Sequence, residues 1–216
     1  MTEMSPEDQV PKAVVNRMSL YLRELQQLMR NGHNTTSSTQ LGELLGFTDA
    51  QVRKDLAHFG QFGYPGVGYR CEELVSAIRN ILGTDQEWPV AIVGVGNLGR
   101  ALLGYRGFGN QGFRVVAAFD ADQAKVGSQI EGIEVFAVED MQEIVRKERI
   151  RLGMIAVPAK AAQQAADQLA QSGVEGIVNF APVTLVKPAG LCVVGVDLAI
   201  ELEQLSFAVV NREKKP

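Results

Sequence analysis

Three closely spaced glycines after an apolar segment constrain the fold of this chain more than any other feature. Residues 89–93 read Pro-Val-Ala-Ile-Val and run directly into a G-x-G-x-x-G spacing. An apolar strand, this spacing and then a helix form the context in which the motif binds a dinucleotide. The first glycine allows a tight turn, the second lets the backbone approach a pyrophosphate, and the third lets helix and strand pack closely. We therefore predict a Rossmann nucleotide loop whose site residues are Gly94, Val95, Gly96, Asn97, Leu98 and Gly99.

A carboxylate at the end of the following strand predicts which dinucleotide is bound. The next β-branched run ends in Ala118-Phe119-Asp120, so Asp120 lies 21 residues after Gly99. An acid at this point accepts hydrogen bonds from the ribose 2′-hydroxyl and repels a 2′-phosphate. Asp122 competes for the role, but Asp120 is better placed because it ends the strand. The sequence therefore favours NAD(H) over NADP(H) as the cofactor.

The pattern of apolar residues changes near residues 83–87 and divides the chain. Before this point apolar residues recur at helical spacing, and after it short β-branched runs alternate with helical stretches, which is typical of a parallel sheet. We predict an α/β fold, with a winged-helix (helix-turn-helix) domain at 1–84 and a Rossmann doubly wound parallel-sheet domain at 85–197. A last helix would occupy 198–216. Asp197 would cap it, and its apolar stripe would be Leu198, Leu202, Leu205 and Val209.

Two short helices joined by a glycine turn indicate a DNA-reading element in the first domain. A first helix is expected to end at Gly32, and its apolar stripe is Val14, Met18, Leu22, Leu25 and Met29. A second helix would span Ser38 to Leu45, and a third would begin at Thr48, which forms a capping box with Gln51. This is the helix-turn-helix pattern. Residues 60–70 then contain four glycines and three aromatic residues, which indicates a wing rather than a disordered linker.

The polar face of the third helix is predicted to contact DNA. Advancing about 100° per residue from Val52 places Leu56 and Phe59 on the buried side and Lys54 opposite them. Alanines flank Lys54, so the helix could approach a groove closely while polar side chains reach the base edges. Arg53 lies at the flank, where it would contact a phosphate. The alternative is an ordinary solvated helix face. The candidates for base contacts are Gln51, Lys54 and His58.

Composition excludes several other classes of protein. The net charge is −4, but residues 9–71 carry seven basic and four acidic side chains, a local charge of +3. The sequence contains no uninterrupted apolar run of about 18 residues, so no membrane span is predicted. The acidic residues 1–8 do not resemble a signal peptide. We therefore expect a cytoplasmic protein without a membrane partner. The histidines are too dispersed for a zinc site, so no metal is expected. Cys71, beside two glutamates, is not expected to be an activated thiol, and Cys192, in an apolar run, is expected to be buried.

Two rival functions remain open at this point. One is a small NAD-dependent oxidoreductase, and the other is a CoA-binding protein, because CoA-binding domains also use glycine-rich first turns. Residues 85–216 leave no room for the substrate domain that a dehydrogenase usually carries. Both histidines precede the glycine loop, and the remaining candidates for a general acid are Lys125, Lys160 and Lys187. We therefore interpret the nucleotide as a ligand rather than a co-substrate, and predict that the chain is not an enzyme.

Six segments together resemble the Rex family of bacterial redox-sensing repressors. The matching segments are 17–23, 36–45, 51–56, 66–69, 94–102 and 179–182. Val-Arg-Lys-Asp-Leu at 52–56 upstream of Gly-Val-Gly-Asn-Leu-Gly at 94–99 is far more specific than either part alone. The resemblance implies a homodimer that exchanges its C-terminal helix between subunits. It also implies that the protein binds an AT-rich inverted-repeat operator in double-stranded DNA and releases it when NADH binds.

The resemblance assigns roles to individual residues as well. It implies that Tyr105 contacts the nicotinamide and that Asp197 pairs with Arg23 in one ligand state only. The wing departs from the family pattern, because Pro65 stands where a basic residue is expected, so Tyr64 or Arg70 would have to supply the phosphate contact. The expected DNA contacts are therefore Ser38, Gln51, Arg53, Lys54, His58, Tyr64 and Arg70.

Overall fold

The computed structural model of the protein describes residues 10–188 and 190–212. The chain divides between Gln86 and Glu87 into two compact units. The domain boundary expected from the sequence lies two residues earlier. The expectation that the N-terminus is not a signal peptide falls on residues outside the described ranges, as do the last four residues of the predicted C-terminal segment.

The described part of the first unit consists of four helices and a small antiparallel sheet. Its elements are α1 (Lys12–Arg30), β1 (Thr35–Thr36), α2 (Ser38–Leu45), α3 (Asp49–Ala57), β2 (Tyr69–Arg70) and α4 (Cys71–Leu82). Gly46 ends α2 in the left-handed region at φ 74°, and the hydroxyl of Thr48 accepts a hydrogen bond from the Gln51 N–H to begin α3. A side chain on Gly42 would meet the Phe47 carbonyl oxygen at 2.5 Å. Glycine there lets α2 and α3 pack as a helix-turn-helix.

One apolar face of each helix forms the core of the first unit. Its largest fully buried side chains are Met18, Tyr21, Leu25, Leu41, Val52, Leu74 and Ile78. The expected stripe of α1 is wrong at its end, because Met29 is 39% exposed and Leu28 is buried instead. The last buried residue of the stripe is therefore Leu28, three residues after Leu25. Since α3 ends at Ala57, Phe59 follows the helix and is partly buried against this core.

The second unit is built on a seven-stranded sheet. Its strands are β3 (Trp88–Val93), β4 (Phe113–Asp120), β5 (Gln129–Ile130), β6 (Ile133–Ala137), β7 (Leu152–Ile155), β8 (Gly176–Asn179) and β9 (Cys192–Gly195). They lie in the order β5-β6-β4-β3-β7-β8-β9, and each neighbouring pair is parallel except β5 with β6. Without the short edge strand β5, this is the strand order of the doubly wound nucleotide-binding fold. The predicted α/β fold is confirmed.

Helices cover both faces of this sheet, and two apolar clusters fill the space between. The helices are α5 (Asn97–Leu103), α6 (Gly107–Asn110), α7 (Met141–Lys147), α8 (Ala159–Gln171) and α9 (Leu198–Arg212), with a 3-10 turn at Val138–Asp140. Phe119, Ile155 and Leu169 lie in one cluster, and Ile92 and Ala118 lie in the other. Because both faces are covered, four consecutive residues of β3 are buried, as expected for a parallel sheet.

Helix α9 differs from the other helices of the second unit because its described positions include no buried residue. The predicted stripe from Leu198 to Val209 is 50–68% exposed. Ile200 and Phe207 lie about opposite that stripe at helical spacing, and they are also exposed, Phe207 by 73%. An apolar helix uncovered on two sides indicates a surface that is completed by another chain or segment.

One of the two cysteines agrees with expectation and the other does not. Cys71 is buried at the start of α4, and burial raises the pKa of its thiol. Cys192 was expected to be buried but is exposed on β9, the edge strand of the sheet. Successive side chains of a strand point to opposite faces, so an apolar run does not bury every member. Among the described residues, no helix is long and apolar enough to cross a membrane, and no cluster of potential metal ligands is found.

Candidate functional site

The three glycines of the nucleotide loop have different surroundings. Gly94 has φ 96°, and a side chain there would meet the Ala156 carbonyl oxygen at 2.6 Å. A side chain on Gly99 would overlap the carbonyl oxygen of Gly94. Gly96 has no atom within 4 Å of the place where a side chain would begin. The first glycine therefore turns the chain, the third lets α5 pack on the turn, and the second leaves open space beside the backbone.

Asp120 ends β4 and ties the glycine loop to the neighbouring strand. Its Oδ2 accepts hydrogen bonds from the Val95 N–H at 2.8 Å and from Lys125 Nζ at 3.0 Å, and its Oδ1 accepts from the Asp122 N–H at 2.9 Å. Burial alone would raise the pKa of Asp120, but the hydrogen bonds from Asp122, Val95 and Lys125 hold it below its ordinary value. The carboxylate is therefore charged at neutral pH and fixed beside the loop.

A cavity of about 410 Å³ opens beside Asp120 and the glycine loop. Its walls come from the glycine loop, the end of β4 and the segment after β7, and they include Gly94, Gly96, Asp120, Lys125, Ala156, Val157 and Pro158. This is the point where the strand order reverses between β3 and β7, which is the usual ligand site of such sheets. The loop residues Asn97 and Leu98 are exposed, and Val95 is buried behind the loop.

The structure adds Lys125 to this site, whereas Tyr105 does not line the cavity. Sequence reasoning considered Lys125 only as a possible general acid, yet its ammonium lies 3.0 Å from Asp120 and 3.7 Å from Asp122. Its place in an Asp-rich loop after the strand was the available signal. Tyr105 follows α5, is 58% exposed, and packs edge-on against Phe108 at 4.9 Å between ring centroids.

The surface of α3 matches the helical pattern predicted for it. Val52 and Leu56 are buried, whereas Lys54 and His58 are exposed, as are the flanking alanines. The expected phosphate contact, Arg53, is exposed as well, and its Nη1 donates to Asp49 Oδ2 at 2.6 Å and to Ser38 Oγ at 3.1 Å. Two expected DNA contacts, Ser38 and Arg53, therefore lie together at the start of α2 and on α3.

Sequence reasoning missed a buried carboxylate on the same helix. Asp55, which had no individual role in the sequence analysis, is fully buried and accepts hydrogen bonds from Arg17, Tyr21 and Gln51. Burial opposes ionisation of Asp55, but these three donors lower the pKa of its carboxyl. Burial and the hydrogen bond to Asp55 raise the pKa of Tyr21. Polar residues on helical apolar faces were the available signal, since Arg17 and Tyr21 adjoin the stripe of α1.

In the wing, the side chains of Tyr64 and Arg70 both bind the carboxylate of Glu73. Tyr64 and Gly68 form a bridge that closes the turn around Pro65. Arg70 Nη1 pairs with Glu73 Oε1 at 3.1 Å, Tyr64 Oη donates to Glu73 Oε2 at 3.1 Å, and the Arg70 guanidinium lies 5.1 Å from the Tyr64 ring centroid. Both expected phosphate contacts of the wing therefore meet at one glutamate.

The two residues expected to couple the domains lie in different units. Arg23 is exposed on α1 of the first unit. Asp197, in the second unit, accepts a hydrogen bond from the Ala199 N–H at 2.9 Å and caps α9, as the sequence predicted.

Comparison with known proteins gives matches over both units. The family model described as "Putative DNA-binding protein N-terminus" matches residues 9–57, and the one described as "CoA binding domain" matches residues 85–183. A redox-sensing transcriptional repressor Rex from Pelotomaculum thermopropionicum is 46% identical over 95% of this chain and 97% of its own length.

Solved structures agree with this relative. The repressor RSP in complex with β-NAD⁺ and operator DNA matches with a TM-score of 0.89 and 35% identity, over 94% of each chain. The same protein in complex with β-NADH matches with a TM-score of 0.84 and 34% identity, over 94% of this chain and 96% of that one. These matches run through both units and cover nearly the whole of each chain. The chain belongs to the Rex family of redox-sensing transcriptional repressors.

Proposed function

We propose that this protein is a repressor that binds an AT-rich inverted-repeat operator as a homodimer, senses the NADH/NAD ratio, and leaves the operator when NADH binds. The observation that carries the proposal is the open space beside Gly96 next to the buried carboxylate of Asp120. A pyrophosphate can approach the backbone there, and the carboxylate is placed for ribose hydroxyls. The exposed polar face of α3 supplies the reading surface on the same chain.

The relatives support both ligands. RSP has been crystallised with β-NAD⁺ on operator DNA and with β-NADH. The chemical difference between these two ligands lies in the nicotinamide, which carries a positive charge only when oxidised. To release DNA, NADH must bind the DNA-releasing arrangement of the protein more tightly than the DNA-bound arrangement. NAD⁺ must show less of this preference.

A homodimer accounts for the bare surface of α9. Large apolar side chains are exposed on two sides of this helix, and this much exposed apolar surface is typical of an interaction site. A two-fold dimer would also match an inverted-repeat operator, because each subunit reads one half-site. We therefore propose that α9 is exchanged between the two subunits, as the family resemblance implies.

A binding titration tests the whole proposal. We expect the protein to bind a fluorescent AT-rich palindrome more tightly than a scrambled duplex of equal length, as measured by anisotropy at fixed salt. NADH should weaken this complex much more than NAD⁺ at equal occupancy. The proposal would fail if the two duplexes bound equally, or if NADH bound the protein without changing operator affinity.

The nucleotide is proposed to act as a ligand and not as a co-substrate. Lys125, the lysine on the cavity wall, is held in an ion pair with Asp120 at 3.0 Å and is not presented as a free general acid. A repressor of this kind would act in the cytoplasm, where it meets both DNA and the nucleotide pool. NADH oxidation with a panel of small carbonyl compounds is expected to show no turnover. Steady turnover would favour the oxidoreductase alternative.

CoA is the second candidate ligand because a CoA-binding domain model matches residues 85–183. CoA carries a phosphate on its adenosine ribose, so the fixed negative charge of Asp120 beside the ribose position would oppose it, as it opposes a 2′-phosphate. We expect CoA to compete poorly with NADH in a displacement titration. Tight CoA binding with negligible NADH binding would support the CoA alternative instead.

A further inference from the structure

A buried carboxylate holds the side chain of Gln51 in the first unit. Asp55 Oδ2 accepts from Arg17 Nε at 2.5 Å and from Tyr21 Oη at 2.8 Å. Its Oδ1 accepts from Arg17 Nη2 at 2.8 Å and from Gln51 Nε2 at 2.7 Å. A carboxylate offers about four acceptor sites, so these four donors use its full capacity. Because Asp55 is completely buried, it cannot exchange these partners for water.

This network decides which end of the Gln51 amide faces the protein. An ionised carboxylate only accepts hydrogen bonds, so the amide must turn its NH₂ group toward Asp55. The oxygen, Oε1, then lies at the other end of the amide. Within residues 10–188 and 190–212, the Gln51 amide bonds to Asp55 through Nε2, and no group donates a hydrogen bond to its Oε1. Gln51 is half-buried in the first turn of α3, the helix that exposes Lys54 and His58.

We propose that Asp55 is a positioning residue for base recognition, which fixes Gln51 so that it presents a hydrogen-bond acceptor to the major groove. Adenine and cytosine present an amino group there, whereas guanine and thymine present carbonyl oxygens. Gln51 would therefore select an amino-bearing base at one position of each half-site. This inference rests on the proposed function, because it requires that α3 enters the groove.

Fixing the orientation of the Gln51 amide increases its specificity for one class of base. An unrestrained glutamine side chain can turn either its NH₂ or its oxygen toward a base, so it accepts amino-bearing and keto-bearing bases alike. With the NH₂ group held by Asp55, a keto-bearing base would bring two acceptors face to face and lose a hydrogen bond. The carboxylate of Asp55 thus makes Gln51 specific for one class of base by binding its NH₂ group. Asp55 itself does not contact DNA.

Operator variants can test this inference on the full chain. All four base pairs would be placed at each half-site position, symmetrically in both halves, and operator affinity measured for parent, Gln51→Ala, Asp55→Asn and Asp49→Asn. One position should prefer an amino-bearing base by at least about fivefold in the parent. Gln51→Ala and Asp55→Asn should bring that ratio near unity, because an asparagine behind Gln51 can pair with either end of its amide. Asp49→Asn removes an equal charge from the same helix and should preserve the ratio.

The ratio separates positioning from structural damage. Partial unfolding of Asp55→Asn lowers the active concentration equally for every operator, so it cannot change the preference at a single position. If this variant does not fold, Gln51→Glu provides the second test. It keeps acceptors only, so the preference for the amino-bearing base should persist even if overall affinity falls.

Three results would overturn the inference. One is a folded Asp55→Asn protein that keeps the parent ratio at the position lost in Gln51→Ala. Another is a Gln51→Glu protein that loses the preference for the amino-bearing base, because this variant keeps the acceptor and lacks only the NH₂ group. A parent that binds operator and random DNA equally would instead overturn the proposed function. Operator preference that does not depend on Gln51 at any position would overturn this inference alone.

Discussion

At the scale of single residues, the nucleotide site is organised by opposite charges that lie side by side. Asp120 binds the loop through the Val95 N–H, and the ammonium of Lys125 shares the same carboxylate oxygen. The carboxylate would repel a 2′-phosphate, and the ammonium would attract one. Because burial and three hydrogen bonds fix Asp120 while Lys125 is partly exposed, we expect the repulsion to dominate.

Replacing Asp120 with alanine should therefore narrow the preference for NADH over NADPH. The change removes the repulsion and frees Lys125 to pair with the 2′-phosphate. Asp122→Ala removes the same charge from a more exposed side chain and should leave the preference near that of the parent. Titration calorimetry of NADH and NADPH with the three proteins measures the effect. Equal affinity of the parent for both cofactors would contradict the assignment of Asp120.

At the scale of single elements, helical periodicity predicted α3 well but could not describe its polar contacts. The predicted cap, buried side and exposed lysine all follow from a regular helix and its capping residue. The ion pairs of Asp55 and Asp49 do not, because they depend on Arg17 from another helix and on the side-chain rotamer of Arg53. Similarly, the strand order could be inferred from alternating β and α segments, whereas the environment of Lys125 depends on the loop conformation.

Substitutions on α3 should separate base contacts from phosphate contacts. Lys54→Ala should cost about 1–3 kcal/mol of operator binding and relax sequence preference, if Lys54 contacts a base. Arg53→Ala should weaken binding to all sequences alike and reduce the salt dependence, as loss of a phosphate contact does. Anisotropy titrations on operator and scrambled duplexes at several salt concentrations would measure both. Unchanged operator affinity in both variants would mean that the reading helix has been misplaced.

The wing should bind DNA more strongly once its acid is neutralised. Glu73 pairs with Arg70 and accepts a hydrogen bond from Tyr64, so it competes with phosphate for both groups. We expect Glu73→Gln to raise affinity for scrambled duplex and to steepen the salt dependence, because a further cation is free to contact phosphate. Glu72→Gln removes the same charge one residue away and serves as the control. Equal effects in the two variants would show that only net charge matters and that the contacts of Glu73 do not.

At the scale of the whole molecule, the bare faces of α9 make a prediction about assembly. If α9 is enclosed by a partner on two sides, charge on either side should disrupt the dimer. Leu202→Asp and Phe207→Asp should therefore both shift the protein toward monomer in sedimentation experiments and weaken operator binding, because a monomer engages one half-site. A dimer that tolerates Phe207→Asp but not Leu202→Asp would show that one side alone is covered. Tolerance of both would exclude α9 from the interface.

Asp197 and Arg23 are expected to couple nucleotide binding to DNA binding across the whole molecule. The family resemblance pairs Asp197 with Arg23 in one ligand state, and Asp197 also caps α9 in the structure. The two roles can be separated, because asparagine is as good an N-cap as aspartate but carries no charge. We expect Asp197→Asn, Asp197→Ala and Arg23→Ala to bind NADH normally yet to respond weakly or abnormally to it on DNA.

The measurement is the ratio of operator affinity without NADH to that with saturating NADH, for each variant beside the parent. If the ion pair transmits the signal, all three variants should lose most of the parent ratio. Lysine should substitute partly for Arg23, because it keeps the charge but not the two-pronged geometry of the guanidinium. A parent-like ratio in Asp197→Asn together with a changed ratio in Asp197→Ala would assign Asp197 to capping alone. Since a ligand shifts a conformational equilibrium only through its differential affinity for the two states, the variants that lose the response should also bind NADH equally with and without operator.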